Sequence, residues 1–140
     1  MVDKDLISIK LGELSLRLER ARSHCPPTVE ELAGDDDALD IVAFNLMLAM
    51  QSALDLASHI IADEGWEPAS NLAESFRRLG ERAILSRDTV EAMARGASLR
   101  NLVAHGYSKI DVAKVHRAAT EGTRELDRFA AEVAKWVAAT

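Results

Sequence analysis

Cysteine occurs once in these 140 residues, at Cys25, so no intrachain disulfide can form and no Cys-x-x-Cys pair is available for zinc or redox work. The thiol precedes Pro26-Pro27, and a free thiol of this kind suits a reducing cytosol. Aromatic residues make up only 4% against 48% hydrophobic, and there are three prolines, a balance that favours aliphatic helices over a β-sandwich. Phosphate-cradling loops of the GxGxxG or GxxxxGK[ST] type are absent. So are the paired Glu-x-x-His motifs of a di-iron bundle. The first residues, MVDKDLISIK, lack the apolar core of a signal peptide. The longest uncharged run, IVAFNLMLAMQSAL, has 14 residues and includes Asn45, Gln51 and Ser52, which is short and polar for a bilayer span. The expectation is a soluble, cytoplasmic protein with no membrane partner and no cofactor.

Net charge is −6, which argues against wholesale coating of nucleic acid or of an anionic membrane. The charge is unevenly spread. Residues 1–70 carry 5 basic and 14 acidic side chains, residues 71–110 carry 7 and 4, and residues 111–140 carry 5 and 5. Only the middle segment is basic, and an anionic ligand would be drawn there.

The length suits one domain over residues 1–140, enough to bury a core. Ile7, Leu11, Leu14, Leu18 and Ala21 form one helical stripe that stops at Cys25-Pro26-Pro27. A second helix opens at Asp35-Asp36-Asp37, carboxylates suited to the positive end of a helix dipole, and runs to about Asp63 with Gly65 as its C-cap. Leu39, Ile41, Val42, Phe44, Leu46, Met47, Leu48 and Met50 make it apolar almost all the way round. Such a helix must be covered on more than one side, by its own bundle and by a second subunit. Leu72, Phe76 and Leu79 mark a third helix. Ser86 caps a fourth bearing Val90, Met93, Ala97 and Leu102, which Gly106 ends. A fifth starts near Asp111 and carries Val112, Val115, Ala119, Leu126, Phe129, Val133 and Trp136, with Gly122 weakening its middle. No strand pattern or repeat is present. The reading is an all-α, up-and-down bundle of about five helices.

Several candidate sites read as ordinary surface. Asp55, His59 and Asp63 share one helix face at metal-ligand spacing, but such a trio is more often a polar seam. His24 and His116 have no convergent partners and read as surface residues, and Arg77, Arg78 and Arg82 read as a solvated face. RNLVAHGY, residues 100–107, differs because its parts suit one another. Arg100 offers a planar cationic fork that fits phosphate oxygens. His105 is an imidazole, a group whose ordinary pKa near 6.5 lets it take or give a proton at neutral pH. Asn101 lies four residues before His105, on the same face, and could orient the ring. On an ideal helix, positions five apart sit about 140° from each other. Arg100 and His105 therefore converge only if the helix unwinds near Gly106 or if two copies meet across a symmetric interface. The plain alternative is a helix end where His105 meets the negative end of the dipole. A helix-turn-helix DNA binder on residues 86–105 is opposed by the overall acidity and by the lack of a basic recognition face.

The order Arg100-Asn101, three residues, His105, one residue, Tyr107 resembles the R-x4-H-x-Y motif of HepT-like toxins in the HEPN superfamily. SALDLASHIIADEGWEPASNLAESFRRLGE, residues 52–81, resembles that family's long-helix ending, glycine turn and Phe-bearing helix, and LDRFAAEVAKWV, residues 126–137, resembles its last helix. The resemblance covers roughly residues 38–137; Leu99 departs from it where relatives often carry Phe. It implies a HEPN-like, dimeric toxin of a type II toxin–antitoxin system. The implied activity is a metal-independent endoribonuclease acting on tRNA or mRNA and leaving a 2′,3′-cyclic phosphate. Carried over, Arg100 binds the scissile phosphate, His105 does the acid–base work and Asn101 supports them. Tyr107, the only tyrosine, matches the residue to which a cognate MNT-type nucleotidyltransferase antitoxin adds AMP, in a larger hetero-oligomer. The rival reading is a non-catalytic helical partner of a minimal nucleotidyltransferase, in which Arg100 and His105 only bind nucleotide.

Overall fold

In the computed structural model, which describes residues 2–101 and 110–140, every regular element among the described residues is a helix and no strand occurs among them. The helices are α1 (Lys4–His24), α2 (Val29–Ala33), α3 (Asp36–Asp63), α4 (Leu72–Glu81), α5 (Arg87–Gly96), α6 (Val112–Arg117) and α7 (Thr123–Ala139). A 3₁₀ turn, Ala97–Asn101, extends α5, and a π turn, Ala118–Gly122, joins α6 to α7. Side chains start the helices where the sequence supplies them. Asp3, Thr28, Asp35, Asn71, Ser86 and Asp111 each accept a hydrogen bond from the backbone N–H three residues on.

α3 is the centre. Val42, Ala43, Leu46, Ala49, Ala53, Leu56, Ala57 and Ile60 are fully buried along it, and at about 25 cal/mol per Å2 their burial is a main source of stability. α3 has the length and composition of a membrane-crossing helix, yet 61% of its most apolar stretch is buried inside the bundle, as in the core helix of a folded domain. α1 runs antiparallel to it, as Lys10 to Asp55 (3.9 Å) and Arg17 Nη1 to Asn45 Oδ1 (3.2 Å) show. α7 is antiparallel to α1 through Arg22 to Asp127 (2.8 Å) and Lys4 Nζ to the Thr140 carbonyl (2.7 Å). Phe76 of α4 meets Phe129 of α7 edge-on at 5.7 Å, and Trp66 lies 6.4 Å from Trp136. Together α1, α4 and α7 pack around α3. Phe44 of α3 stays 45% exposed, and Ile9 and Leu16 of α1 are exposed as well.

Two helices end in the same cap. At the end of α3, Trp66 N–H donates to the Ile61 carbonyl and Gly65 N–H to that of Ala62, with Gly65 at φ 70°. At the end of α4, Ile84 N–H donates to Leu79 and Ala83 N–H to Gly80, with Ala83 at φ 58°. Both are Schellman caps, and the left-handed position is glycine in one and alanine in the other.

Three details differ from the periodicity reading. α2 follows the proline pair; Thr28 and Glu31 supply its capping signal, but five residues are too few to show a period. The fourth helix tightens to 3₁₀ from Ala97, while Leu102 and Gly106 of the predicted helix lie outside the described residues. The fifth is interrupted by the π turn, which ends at Gly122. Thr120 Oγ1 donates to the carbonyls of His116 (3.0 Å) and Arg117 (3.2 Å), and the fully buried Thr123 Oγ1 donates to that of Ala119 (2.8 Å). These hydroxyls serve carbonyls along a turn whose backbone ladder has changed spacing.

Candidate functional site

The basic motif begins at the end of α5. Ser86 caps that helix, and its first turn is gripped from across the bundle by Glu132 of α7. The Glu132 carboxylate accepts from Ser86 N–H (2.5 Å), from the buried Thr89 hydroxyl and from Ser86 Oγ (3.5 Å). Burial pushes the Glu132 carboxyl up, but the hydrogen bonds from Thr89 and Ser86, with the charge of Arg128, outweigh it and hold it below its ordinary range. α4 braces the opposite side so closely that a Cβ on Gly80 would lie 2.5 Å from Val90 Cγ2. α5 is thus clamped at its base, and the chain tightens into the 3₁₀ turn at its far end. Leu99 is buried there, Arg100 is half-buried and Asn101 ends the turn. His105 and Tyr107 lie outside the described residues.

Next to this turn is a cleft of about 270 Å3. Met50, Met93, Leu99, Ala118 and Leu126 form its apolar floor, and Gly96 and Gly122 stand in its walls. Its rim is charged, with Arg95, Lys114 and Arg117 set against Glu121 and Glu125. Arg117 pairs with Glu121 at 3.1 Å, Arg95 reaches Glu125 at 4.0 Å, and Lys114 makes no ion pair among the described residues. The motif alone did not point to this cleft. The signal within the sequence is Lys114 and Arg117, one helical turn apart, just beyond RNLVAHGY.

The other candidates resolve as structural groups. Asp55 accepts from Gln51 Nε2 at 2.9 Å and faces Lys10, while Asp63 accepts from Asp3 N–H at 3.1 Å. Among the described residues no three His, Cys, Asp or Glu side chains gather where a metal could bind. His116 is half-buried and its Nε2 lies 3.0 Å from the Pro26 carbonyl, tying α6 to the proline loop, so it is not the loose surface residue that the sequence suggested. Arg78 pairs with Glu74 (3.1 Å), Glu81 (3.6 Å) and Glu67 (3.9 Å), and Arg82 covers the Trp66 ring at 4.6 Å. Much of the apparent basic excess of residues 71–110 is therefore already partnered.

The Ribonuclease HepT-like family profile matches residues 14–133. A protein of Archaeoglobus fulgidus described as a candidate RNase is 26% identical over 92 residues, 66% of this chain and 69% of its own length. Among solved structures, a tri-AMPylated HEPN toxin from Shewanella oneidensis in complex with MNT antitoxin superimposes with a TM-score of 0.83 at 18% identity, covering 96% of this chain and 99% of that one. YutE, a cytosolic Bacillus subtilis protein of unknown function, superimposes with a TM-score of 0.84 at 12% identity over 99% and 92% of the two chains. At these identities the superpositions establish the fold, whereas the profile spans the core helices and the RNLVAHGY segment together. The chain belongs to the HepT-like ribonuclease family.

Proposed function

We propose that this protein is the toxin of a toxin–antitoxin pair, a metal-independent endoribonuclease that uses Arg100 and His105. The observation that carries the reading is the family match over residues 14–133, which contains Arg100-Asn101-x3-His105-x-Tyr107 intact. In the reaction, His105 takes the proton of an RNA 2′-hydroxyl as that oxygen attacks the adjacent phosphorus. The P–O5′ bond breaks, the 5′-oxygen departs with a proton, and a 2′,3′-cyclic phosphate remains. Arg100 holds the phosphate and offsets the charge that builds on its oxygens. Asn101 orients the imidazole.

The site is completed by a second copy of the chain, which brings two motifs to one cleft. An MNT-type nucleotidyltransferase silences it by adding AMP to Tyr107. The modified tyrosine then presents a tethered phosphate and base to the groups that would otherwise meet RNA, and tethering keeps their local concentration high.

The test is cleavage of total tRNA and a defined mRNA in EDTA by wild type, Arg100→Ala and His105→Ala. Cutting by wild type alone, with 2′,3′-cyclic phosphate ends, is the expected result. Intact RNA after incubation with unmodified wild type would reject it.

A further inference from the structure

The last helix sorts its charges by direction. α7 carries three acids, Glu125, Asp127 and Glu132, and three bases, Arg124, Arg128 and Lys135, so its sequence is neutral. All three acids are engaged sideways by neighbouring helices. Glu125 faces Arg95 of α5 at 4.0 Å, Asp127 pairs with Arg22 of α1 at 2.8 Å, and Glu132 accepts from Ser86 and Thr89 at the base of α5. The bases are not. Arg124, Arg128 and Lys135 are exposed and none makes an ion pair among the described residues; Arg128 acts on Glu132 only through its field.

At about 100° per residue, Arg124, Arg128, Ala131 and Lys135 fall within about 60° of one another, opposite the buried Leu126, Phe129 and Val133. The outermost line of the helix is therefore cationic over about 16 Å from Arg124 to Lys135. A chain of net charge −6 shows solvent a basic ridge there. Arg124 and Arg128 set like charges one turn apart, which weakens a helix, so helix stability does not explain the pattern.

The ridge fits a strand of phosphates better than a protein. Protein interfaces centre on aromatic and aliphatic side chains and are poor in lysine, and the ridge has no apolar side chain larger than Ala131. Its cations stand about 6 Å and about 10 Å apart along the axis, spacings that a phosphodiester backbone offers one or two nucleotides apart. Such contacts hold a strand in place without reading its sequence. The ridge also runs in a useful direction. α5 and α7 are antiparallel, since Arg95 meets Glu125 and Ser86 meets Glu132, so the Arg124 end lies nearer Arg100 and the Lys135 end leads away from it.

We propose that the outer face of α7 is an exosite for the sugar-phosphate backbone of RNA, with Arg124, Arg128 and Lys135 each taking a phosphate outside the reacting site. The inference rests on the ribonuclease reading for the class of ligand, and on the direction of the α7 side chains for its place. The ridge grips a strand that also reaches Arg100, and it adds affinity without base preference.

Fluorescence anisotropy of labelled single-stranded oligo(A) and oligo(U) with His105→Ala protein, over a range of salt, tests this. Each phosphate neutralised on a single strand contributes about 0.7 to the slope of log K against log salt. Arg124→Gln, Arg128→Gln and Lys135→Gln together should therefore lower the slope by about 2, equally for both RNAs. Arg124→Lys, Arg128→Lys and Lys135→Arg together should keep it. Replacing the exposed Arg20, Arg77 and Arg87 with Gln makes the same change in net charge and should leave the slope unaltered. An unaltered slope in the Gln variant of the ridge overturns the proposal. So does an equal loss in the Arg20, Arg77 and Arg87 variant, or no RNA binding by any of these proteins. An unaltered RNA slope with loss of self-association in sedimentation also overturns it, and assigns the ridge to an acidic protein face. Cleavage by wild type with an unaltered slope in the ridge variant removes this proposal alone. Uncut RNA with the expected change in slope removes the ribonuclease reading alone.

Discussion

Replacing Ala83 with glycine should stabilise this protein, although it removes a methyl group and adds backbone freedom. Ala83 holds φ 58° as the left-handed residue of the α4 cap. For an L-residue that conformation costs about 1–2 kcal/mol, whereas glycine adopts it without the penalty. Glycine's greater freedom in the unfolded chain takes back about 0.4–1 kcal/mol. Because Ala83 is exposed, its methyl group contributes little burial. The net gain is about 0.5–1 kcal/mol, or about 2–3 °C in Tm for a chain of this size. Gly65 provides the internal control. It holds the same position in the α3 cap at φ 70°, and a Cβ there would meet nothing within 4 Å. Gly65→Ala therefore isolates the conformational cost and should destabilise by about 1 kcal/mol. Urea and thermal unfolding of the two variants against wild type read both signs. A fall in Gly65→Ala without a rise in Ala83→Gly would refute the reasoning.

Gly80→Ala should destabilise despite alanine's better helix propensity. Its Cβ would stand 2.5 Å from Cγ2 of Val90, whose β-branched side chain has one strongly preferred helical rotamer. Overpacking of about 1–3 kcal/mol exceeds a propensity gain below about 1 kcal/mol, and a double-mutant cycle with Val90→Ala should remove most of the loss. Glu132→Ala should cost about 1–2 kcal/mol at pH 7 by releasing the α5 N-terminus. The depressed Glu132 carboxyl gives stability that is present above the unfolded value near 4.3 and lost as pH falls through the folded value. Acid unfolding should thus show the two proteins converging below about pH 4. Thr123→Val should cost about 1 kcal/mol in the same unfolding assay, since it deletes the fully buried hydroxyl that serves the Ala119 carbonyl.

The helical class was legible because its signals are local. Ser86, Asp111 and the Asp35 group mark helix starts by their side-chain oxygens, Gly65 marks an end, and the apolar stripes of α1 and α3 become the core. Ala83 was not legible as a cap, since nothing in its side chain marks a left-handed residue. The π turn was also hidden. Val115, Ala119, Leu126 and Phe129 are all buried with or without one extra residue per turn, so the hydrophobic period does not report it. Arg100, Asn101 and His105 carry a chemical reading from their spacing in the sequence alone. The cleft carries none, because its floor draws on Met50, Met93, Leu99 and Leu126, residues from three distant parts of the chain that each look like ordinary core. Sequence spacing reports groups that act along one helix and misses those that meet across several.

The π turn at Ala118–Gly122 also separates two tasks that a continuous helix would have to share. On the α7 side, Leu126, Phe129 and Val133 answer to the core, where a change in rotation of even a fraction of a turn would be penalised. On the α6 side, Val115 is fully buried while Lys114 and Arg117 stand exposed on the rim of the cleft. A wide turn between them acts as a phase slip. The exposed rim positions can be exchanged without re-indexing the anchor, so substitutions there leave the packing of α7 in register.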